Sequence, residues 1–279
     1  MPDDSVIWLD GATTRSLPLP DRGLDFGDGV FETLLLINAK PLFLPLHLDR
    51  LSKGLQALRF PHCMALVEEH LVSACHEVAS LGWRHVALRL SVTRGAGPRG
   101  YTPPRESQPR IVMQASRLLR DPTQMASPAV LGEGSIRLAS QPALAGLKHL
   151  NRLEQVLGAL DAREQGVDEV LLLGQSGDVV SVAAGNVFIL RGDHLLTPSL
   201  VDCGIHGTRR RLVLTRWASS LGFRVAESKI TRQDVIEADE VFYTNAIYGL
   251  RSVAAFGHVT WRDHPVGEAI FNLYLGEIQ

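Results

Sequence analysis

The run Leu147-Lys148-His149-Leu150-Asn151-Arg152-Leu153-Glu154-Gln155-Val156-Leu157 decides how this chain is read. Only four of its 28 basic residues are lysines: Lys40, Lys53, Lys148 and Lys229. An amine that condenses with an aldehyde cannot be replaced by arginine, whose guanidinium stays protonated. Lys40 lies in the polar turn Asn38-Ala39-Lys40-Pro41, and Lys53 reads as a solvated helix charge beside Ser52. Lys229 follows a short apolar strand and is ambiguous. Lys148 alone follows an apolar, flexible stretch, Pro142-Ala143-Leu144-Ala145-Gly146-Leu147, and stands just before a helix. A lysine partly withdrawn from water becomes a nucleophile toward carbonyls. The ordinary alternative at this position is a surface lysine at a helix start.

A second segment, Gly204-Ile205-His206-Gly207-Thr208-Arg209-Arg210-Arg211, places three arginines in the first turn of a helix. Cations there oppose the helix dipole at about 0.3–1 kcal/mol each when exposed, a cost that an anion among them removes. A glycine turn feeding a helix also leaves backbone N–H groups directed at an anion. A basic solvated face is the plainer reading.

Composition narrows the class. A chain of 279 residues can bury a large core and form two domains. Its 45% hydrophobic and 21% charged content is that of an ordinary globular protein. A net charge of −2 offers no electrostatic reason to expect nucleic acid or an acidic membrane. Cys63, Cys75 and Cys203 are too few and scattered for a disulfide framework or zinc site, and fit a reducing cytoplasm. The acidic Met1-Pro2-Asp3-Asp4 lacks the order of a signal peptide, and no apolar run reaches membrane-spanning length.

Periodicity predicts an α+β first half with strands at 6–9, 30–37, 42–44, 86–92 and 111–114, and helices at 46–59 and 64–81. The weakly periodic stretch 119–134, with Pro122 and Pro128, reads as a linker between domains at 1–118 and 135–279. The second half shows strands at 135–139, 169–173, 187–190, 224–227 and 240–244, with helices after residue 150, at 207–221 and at 266–277. Residues 180–188 read as one strand. Lys148 is expected to project into the crevice between the halves, where cofactor sites commonly lie.

Three other motifs fail on context. Gly95-Ala96-Gly97-Pro98-Arg99-Gly100 matches a dinucleotide-binding pattern, but Tyr101-Thr102-Pro103-Pro104 follows where a helix must open. Gly174-Gln175-Ser176-Gly177-Asp178 lacks the last glycine of a nucleophile elbow and reads as a hairpin turn. The ten histidines show no His-Glu-x-x-His pattern, so no metal is expected.

The ten residues from Lys148 to Leu157 resemble the lysine segment of the fold-type IV pyridoxal-phosphate enzymes, most closely that of the aminodeoxychorismate lyases. Weaker matches lie near residues 22–35, 46–51, 93–101, 185–188, 204–210 and 239–246, so the resemblance spans almost the whole chain. It implies a smaller α+β N-terminal domain and a larger barrel-like C-terminal domain with flanking helices. It also implies pyridoxal 5'-phosphate as cofactor, a homodimer, and conversion of 4-amino-4-deoxychorismate to 4-aminobenzoate and pyruvate in folate biosynthesis. Lys148 would hold the cofactor aldehyde as a Schiff base. Backbone amides of Gly207, Thr208 and Arg209 would hold its phosphate, with Arg50 from His47-Leu48-Asp49-Arg50-Leu51. Asn245 and Ala246 would border it. The segment Arg94 to Tyr101 resembles the family's loop near the substrate mouth, so Arg94, Arg99 and Tyr101 would meet carboxylates, with Thr33 beside them.

One position departs from the family. Five residues before Asn186, where relatives carry the glutamate that pairs with the pyridine nitrogen, stands Ser181. A carboxylate keeps that nitrogen protonated; a hydroxyl can only hydrogen-bond it. The substitution favours elimination over amino transfer, because elimination needs less delocalisation of charge into the ring. An aminotransferase on the same scaffold and a non-catalytic binding protein that keeps the fold remain the alternatives.

Overall fold

A computed structural model describes residues 4–278. The backbone divides into two compact units. One runs to Asp121 and includes Leu147–Asn151; the other comprises Pro122–Gly146 and the chain from Arg152 onward.

The first unit is built on a six-stranded antiparallel sheet in the order β2-β1-β6-β5-β3-β4. Its strands are β1 (Ser5–Leu9), β2 (Ala12–Thr13), β3 (Gly29–Ile37), β4 (Lys40–Pro41), β5 (His85–Thr93) and β6 (Arg110–Arg117). Helices α2 (Leu44–Ala57) and α3 (Met64–Ser80) bring Leu51, Leu55, Val67 and Leu71 into one core with Leu34, Leu36, Leu88, Leu90 and Met113 of the sheet. Burial of each such side chain contributes roughly 1.5–3 kcal/mol. The expected strand at 42–44 does not form. Pro45 falls in the first turn of α2, where its missing N–H costs nothing, and the helix takes over from Leu44. The short helix α1 (Arg22–Phe26) is capped by the Asp21 carboxylate and ends at Gly27, whose φ of 64° suits glycine.

Leu147–Asn151 is irregular and lies along the first half of β3, with His149 bridged to Val30. Phe31 N donates to Lys148 O at 2.8 Å, and Leu150 N donates to Gly29 O at 3.0 Å. Gly29 permits this approach, since a Cβ there would lie 2.7 Å from Leu150 Cδ1.

The second unit holds a nine-stranded sheet. Its strands are β7 (Ala129–Leu138), β8 (Glu169–Gly174), β9 (Val179–Val182), β10 (Asn186–Arg191), β11 (His194–Pro198), β12 (Arg224–Ser228), β13 (Glu240–Asn245), β14 (Gly249–Phe256) and β15 (Val259–Thr260). Their order is β12-β11-β10-β13-β14-β7-β8-β9, with β15 beside β14. β9 ends that order, yet only Ala183, Ala184 and Gly185 join it to β10, third from the other end. A link of three residues reaches only about 14 Å. The sheet therefore curls back on itself like a barrel wall. Helix α4 (Leu153–Gln165) packs over β7 and β8. Helix α5 (Thr208–Leu212) continues through a π-helical stretch, Val213–Trp217, into α6 (Ala218–Ser220); α7 (Arg232–Ile236) and α8 (Pro265–Ile278) complete the unit.

Three expectations change. The stretch 119–134 is not all linker, because β7 begins at Ala129. The division at 118 and 135 misplaces Lys148, which belongs with the first unit through pairing to β3, a contact over more than 100 residues that no local pattern reveals. Residues 180–188 form two strands, not one, so Ser181 and Asn186 lie on either side of a turn.

Candidate active site

In the first unit, β3 presents Phe31 and Thr33 on the face opposite the helices, because alternate strand residues share a face. Arg89 stands directly across from Thr33. Its guanidinium carbon lies 3.9 Å from the centre of the Phe31 ring, and the Lys148 Nζ lies 4.2 Å from that same centre. The Phe31 ring is thus contacted by two cations, one of them the amine of the half-buried Lys148. Arg89 was missed from the sequence; a lone arginine in a strand reads as a solvated charge.

Glu32 points to the other face and is 2% exposed. It accepts from Arg50 Nε at 2.7 Å and Nη2 at 2.5 Å, and pairs with His47 Nδ1 at 2.7 Å. Burial alone would raise its pKa; the charge and hydrogen bonds of Arg50, joined by His47, outweigh that and hold it at about 2. Arg50, expected at the phosphate, thus has two donors on Glu32. The signal for Glu32 was available: a carboxylate inside a nine-residue buried strand demands a partner.

Arg94 departs from expectation. Its guanidinium is buried and donates to Asp28 Oδ2 at 2.7 Å, Leu58 O at 2.7 Å and Arg59 O at 3.3 Å. These bonds make it an anchor of the fold, not a hand held out to substrate. Arg99 and Tyr101 are exposed, and with Pro20, Asp25, Phe26, Gly97, Pro98 and Gly100 they line an open cleft of about 680 Å³.

In the second unit, Gly207 is the N-cap of α5 and brings no side chain to the cap. The amides of Thr208, Arg209 and Arg210 precede the first helical bond, Arg211 N to Gly207 O at 3.0 Å. Asn186 of β10 fixes this turn by donating Nδ2 to Ile205 O at 2.9 Å. Its Oδ1 leaves no space for a side chain at 207, where a Cβ would lie 2.0 Å away. Arg209, 1% exposed, bridges Thr208 Oγ1 at 3.2 Å and Ala246 O at 3.3 Å, tying the helix start to the end of β13. Asn245 is occupied in its own turn: Oδ1 accepts from Ile247 N and Tyr248 N, and Nδ2 donates to Ala184 O at 3.1 Å. Ser181 is 8% exposed, and its hydroxyl makes no hydrogen bond among the described residues. Glu169 braces the same β9–β10 turn by accepting from Ala184 N at 3.3 Å; burial pushes its carboxyl up to about 7.

A side-chain-free helix start backed by Asn186 fits a phosphate, a half-buried primary amine fits an aldehyde, and the Ser181 hydroxyl fits a ring nitrogen as donor or acceptor. Among the described residues, no group of three or more His, Cys, Asp or Glu is arranged to hold a metal.

The family of amino-transferase class IV proteins matches residues 29–256. The chain belongs to this family of pyridoxal-phosphate enzymes of fold type IV. It is 36% identical to 4-amino-4-deoxychorismate lyase from Pseudomonas aeruginosa, whose crystal structure matches at a TM-score of 0.85 over 96% of this chain and 97% of that one. Aminodeoxychorismate lyase of Vibrio harveyi is 28% identical over 266 residues, covering 94% of this chain and 96% of its own. The branched-chain-amino-acid aminotransferase of Pseudomonas aeruginosa is 27% identical over 303 residues, 97% of this chain and 92% of its own.

Proposed function

We propose that this protein is a lyase that converts 4-amino-4-deoxychorismate to 4-aminobenzoate and pyruvate. The observation that carries the reading is Lys148, its amine half-buried against Phe31, within a chain 36% identical to such a lyase along nearly its full length. Bound pyridoxal phosphate supplies an aldehyde and a sink for the electron pair released at the substrate α-carbon. Lys148 Nζ would hold that aldehyde, and as a free amine would take the substrate α-proton as general base. The amides of Gly207, Thr208 and Arg209 hold the phosphate, with Arg50 as a further cation. The Ser181 hydroxyl would hydrogen-bond the pyridine nitrogen without adding a negative charge. Arg99, Tyr101 and Thr33 meet the substrate carboxylates. Departure of the ether oxygen and aromatisation of the ring drive the reaction forward.

An aminotransferase is the second reading, favoured by the branched-chain relative. Ser181 weighs against it. Adding single amino acids to the purified protein separates the two, since only an aminotransferase converts its cofactor stoichiometrically to the amine form.

The experiment is an absorbance spectrum before and after borohydride, followed by peptide mapping. The label is expected on Lys148, and Lys148→Ala is expected to abolish turnover with the fold intact. A label elsewhere, or appreciable turnover in that variant, overturns the assignment.

Pathway, assembly and compartment extend the same reading: folate biosynthesis, a homodimer and the cytoplasm. The exposed apolar residues Leu153, Val156 and Leu157 on α4 support a surface for a second protomer. Three free thiols support a reducing compartment.

A further inference from the structure

We propose that Arg22 is a positioning residue that holds the Gly95–Tyr101 loop, and with it Arg99 and Tyr101, in the conformation that receives substrate. The role of the loop rests on the lyase reading above; the role of Arg22 rests on geometry.

Arg22 is 4% exposed and grips the loop at both ends. Its backbone N donates to Gly95 O at 2.9 Å. Its guanidinium donates from Nη1 to Gly100 O at 3.0 Å and from Nη2 to Tyr101 O at 2.7 Å. The third nitrogen, Nε, donates to Asp28 Oδ2 at 2.9 Å. One side chain thus fixes two consecutive carbonyls and is itself fixed by a carboxylate. The middle of the loop closes over the same residue, for a Cβ at Gly97 would lie 2.7 Å from Arg22 Cδ.

The support beneath is itself hydrogen-bonded. Asp28 Oδ2 also accepts from Arg94 Nε at 2.7 Å, and Arg94 is anchored on Leu58 O and Arg59 O. Asp21, just before Arg22, caps α1 through Gly23 N and accepts from Thr93 Oγ1 at 2.9 Å. Tyr101 rests against Phe26, with ring centres 5.5 Å apart, while its own surface stays exposed. A purely architectural arginine would need neither Gly100 nor Tyr101, which belong to an open loop outside the core. The two gripped carbonyls lie on either side of the Tyr101 Cα, so their fixation aims the Tyr101 side chain and anchors the turn that carries Arg99. A lysine cannot supply this fork; it offers one point charge.

The test compares wild-type holoenzyme with Arg22→Gln and Arg22→Lys. Chymotrypsin cleavage after Tyr101 reports whether the loop is held, independently of activity. In Arg22→Gln we expect unchanged cofactor absorbance, cleavage roughly ten-fold faster, and KM raised roughly ten-fold with kcat within about three-fold. Arg22→Lys should fall between wild type and Arg22→Gln on both measures. Cleavage rate and KM both equal to wild type in Arg22→Gln overturn the proposal. If Arg22→Gln does not fold, the same two measures on Arg22→Lys decide. If the wild type shows no lyase turnover, the functional reading falls, and the cleavage comparison alone upholds or overturns the latch.

Discussion

Phe31 and Lys148 meet twice: main chain to main chain through the 2.8 Å bond from Phe31 N to Lys148 O, and side chain to side chain at 4.2 Å from amine to ring centre. The first contact sets the backbone from which the lysine projects; the second sets the direction of its amine. Phe31→Leu keeps the first and removes the second. An amine over an aromatic face gains about 0.5–1 kcal/mol, so turnover should fall about two- to five-fold with cofactor content unchanged. Steady-state rates of the loaded variant decide, and wild-type turnover would deny the ring a part.

Glu32 and Arg50 make a strong stability prediction. The Glu32 carboxyl is held at about 2 against an ordinary 4.5. A depressed folded value means that its stabilisation is complete above pH 4.5 and is lost as pH falls toward 2. The difference corresponds to about 3 kcal/mol. Arg50→Met leaves a buried carboxylate without its main partner and should cost about 3–5 kcal/mol at pH 7. Urea midpoints at pH 7 and pH 3 test this: the variant's deficit should shrink at the lower pH, and a constant deficit would contradict it.

Glu169 predicts the opposite slope. Burial raises its carboxyl from 4.5 to about 7, only partly opposed by the amides of Ala184, Ala183 and Val170 and by Arg251. A raised folded value means stability that is fully present below pH 4.5 and declines as pH rises to 7. Glu169→Gln keeps an acceptor for Ala184 N and removes the charge. Its melting temperature should match wild type at pH 4 and exceed it at pH 8. Parallel profiles at both pH values would refute the account.

Gly207 and Asn186 couple the cradle to the sheet. Gly207 has φ −64° and ψ 142°, which any residue adopts, so the reason for glycine is space. Gly207→Ala drives a methyl into Asn186 Oδ1 and should cost about 1–3 kcal/mol, with cofactor lost on dialysis. Adding Asn186→Ala should recover part of the melting temperature but not cofactor retention, because the hold on Ile205 goes with it. Full recovery of both would show that Asn186 does not shape the helix start.

Much of this was legible in the chain. The lysine string and the three-arginine helix start declare themselves because both are local: neighbours in sequence create the signal. Helix α3 and strands β3, β5 and β13 followed from periodicity for the same reason. What stayed hidden depends on distance along the chain. Arg89 matters only because β5 lies beside β3, and Arg22 only because its fork reaches carbonyls 78 and 79 residues away. Arg94 looked like a substrate ligand because motif position carries no record of Asp28 beneath it. The split between β9 and β10 was masked by an apolar stretch that scores as continuous strand across the turn.

The pairing of Leu147–Asn151 with β3 has a consequence for how the protein is made. A nascent chain that has reached only Asp121 has a sheet whose strand β3 still offers Phe31 N and Gly29 O to any passing strand. The pentapeptide that covers them emerges later, and in the same moment it delivers the lysine. A truncated fragment ending at the first boundary should therefore be sticky and catalytically empty for one and the same reason.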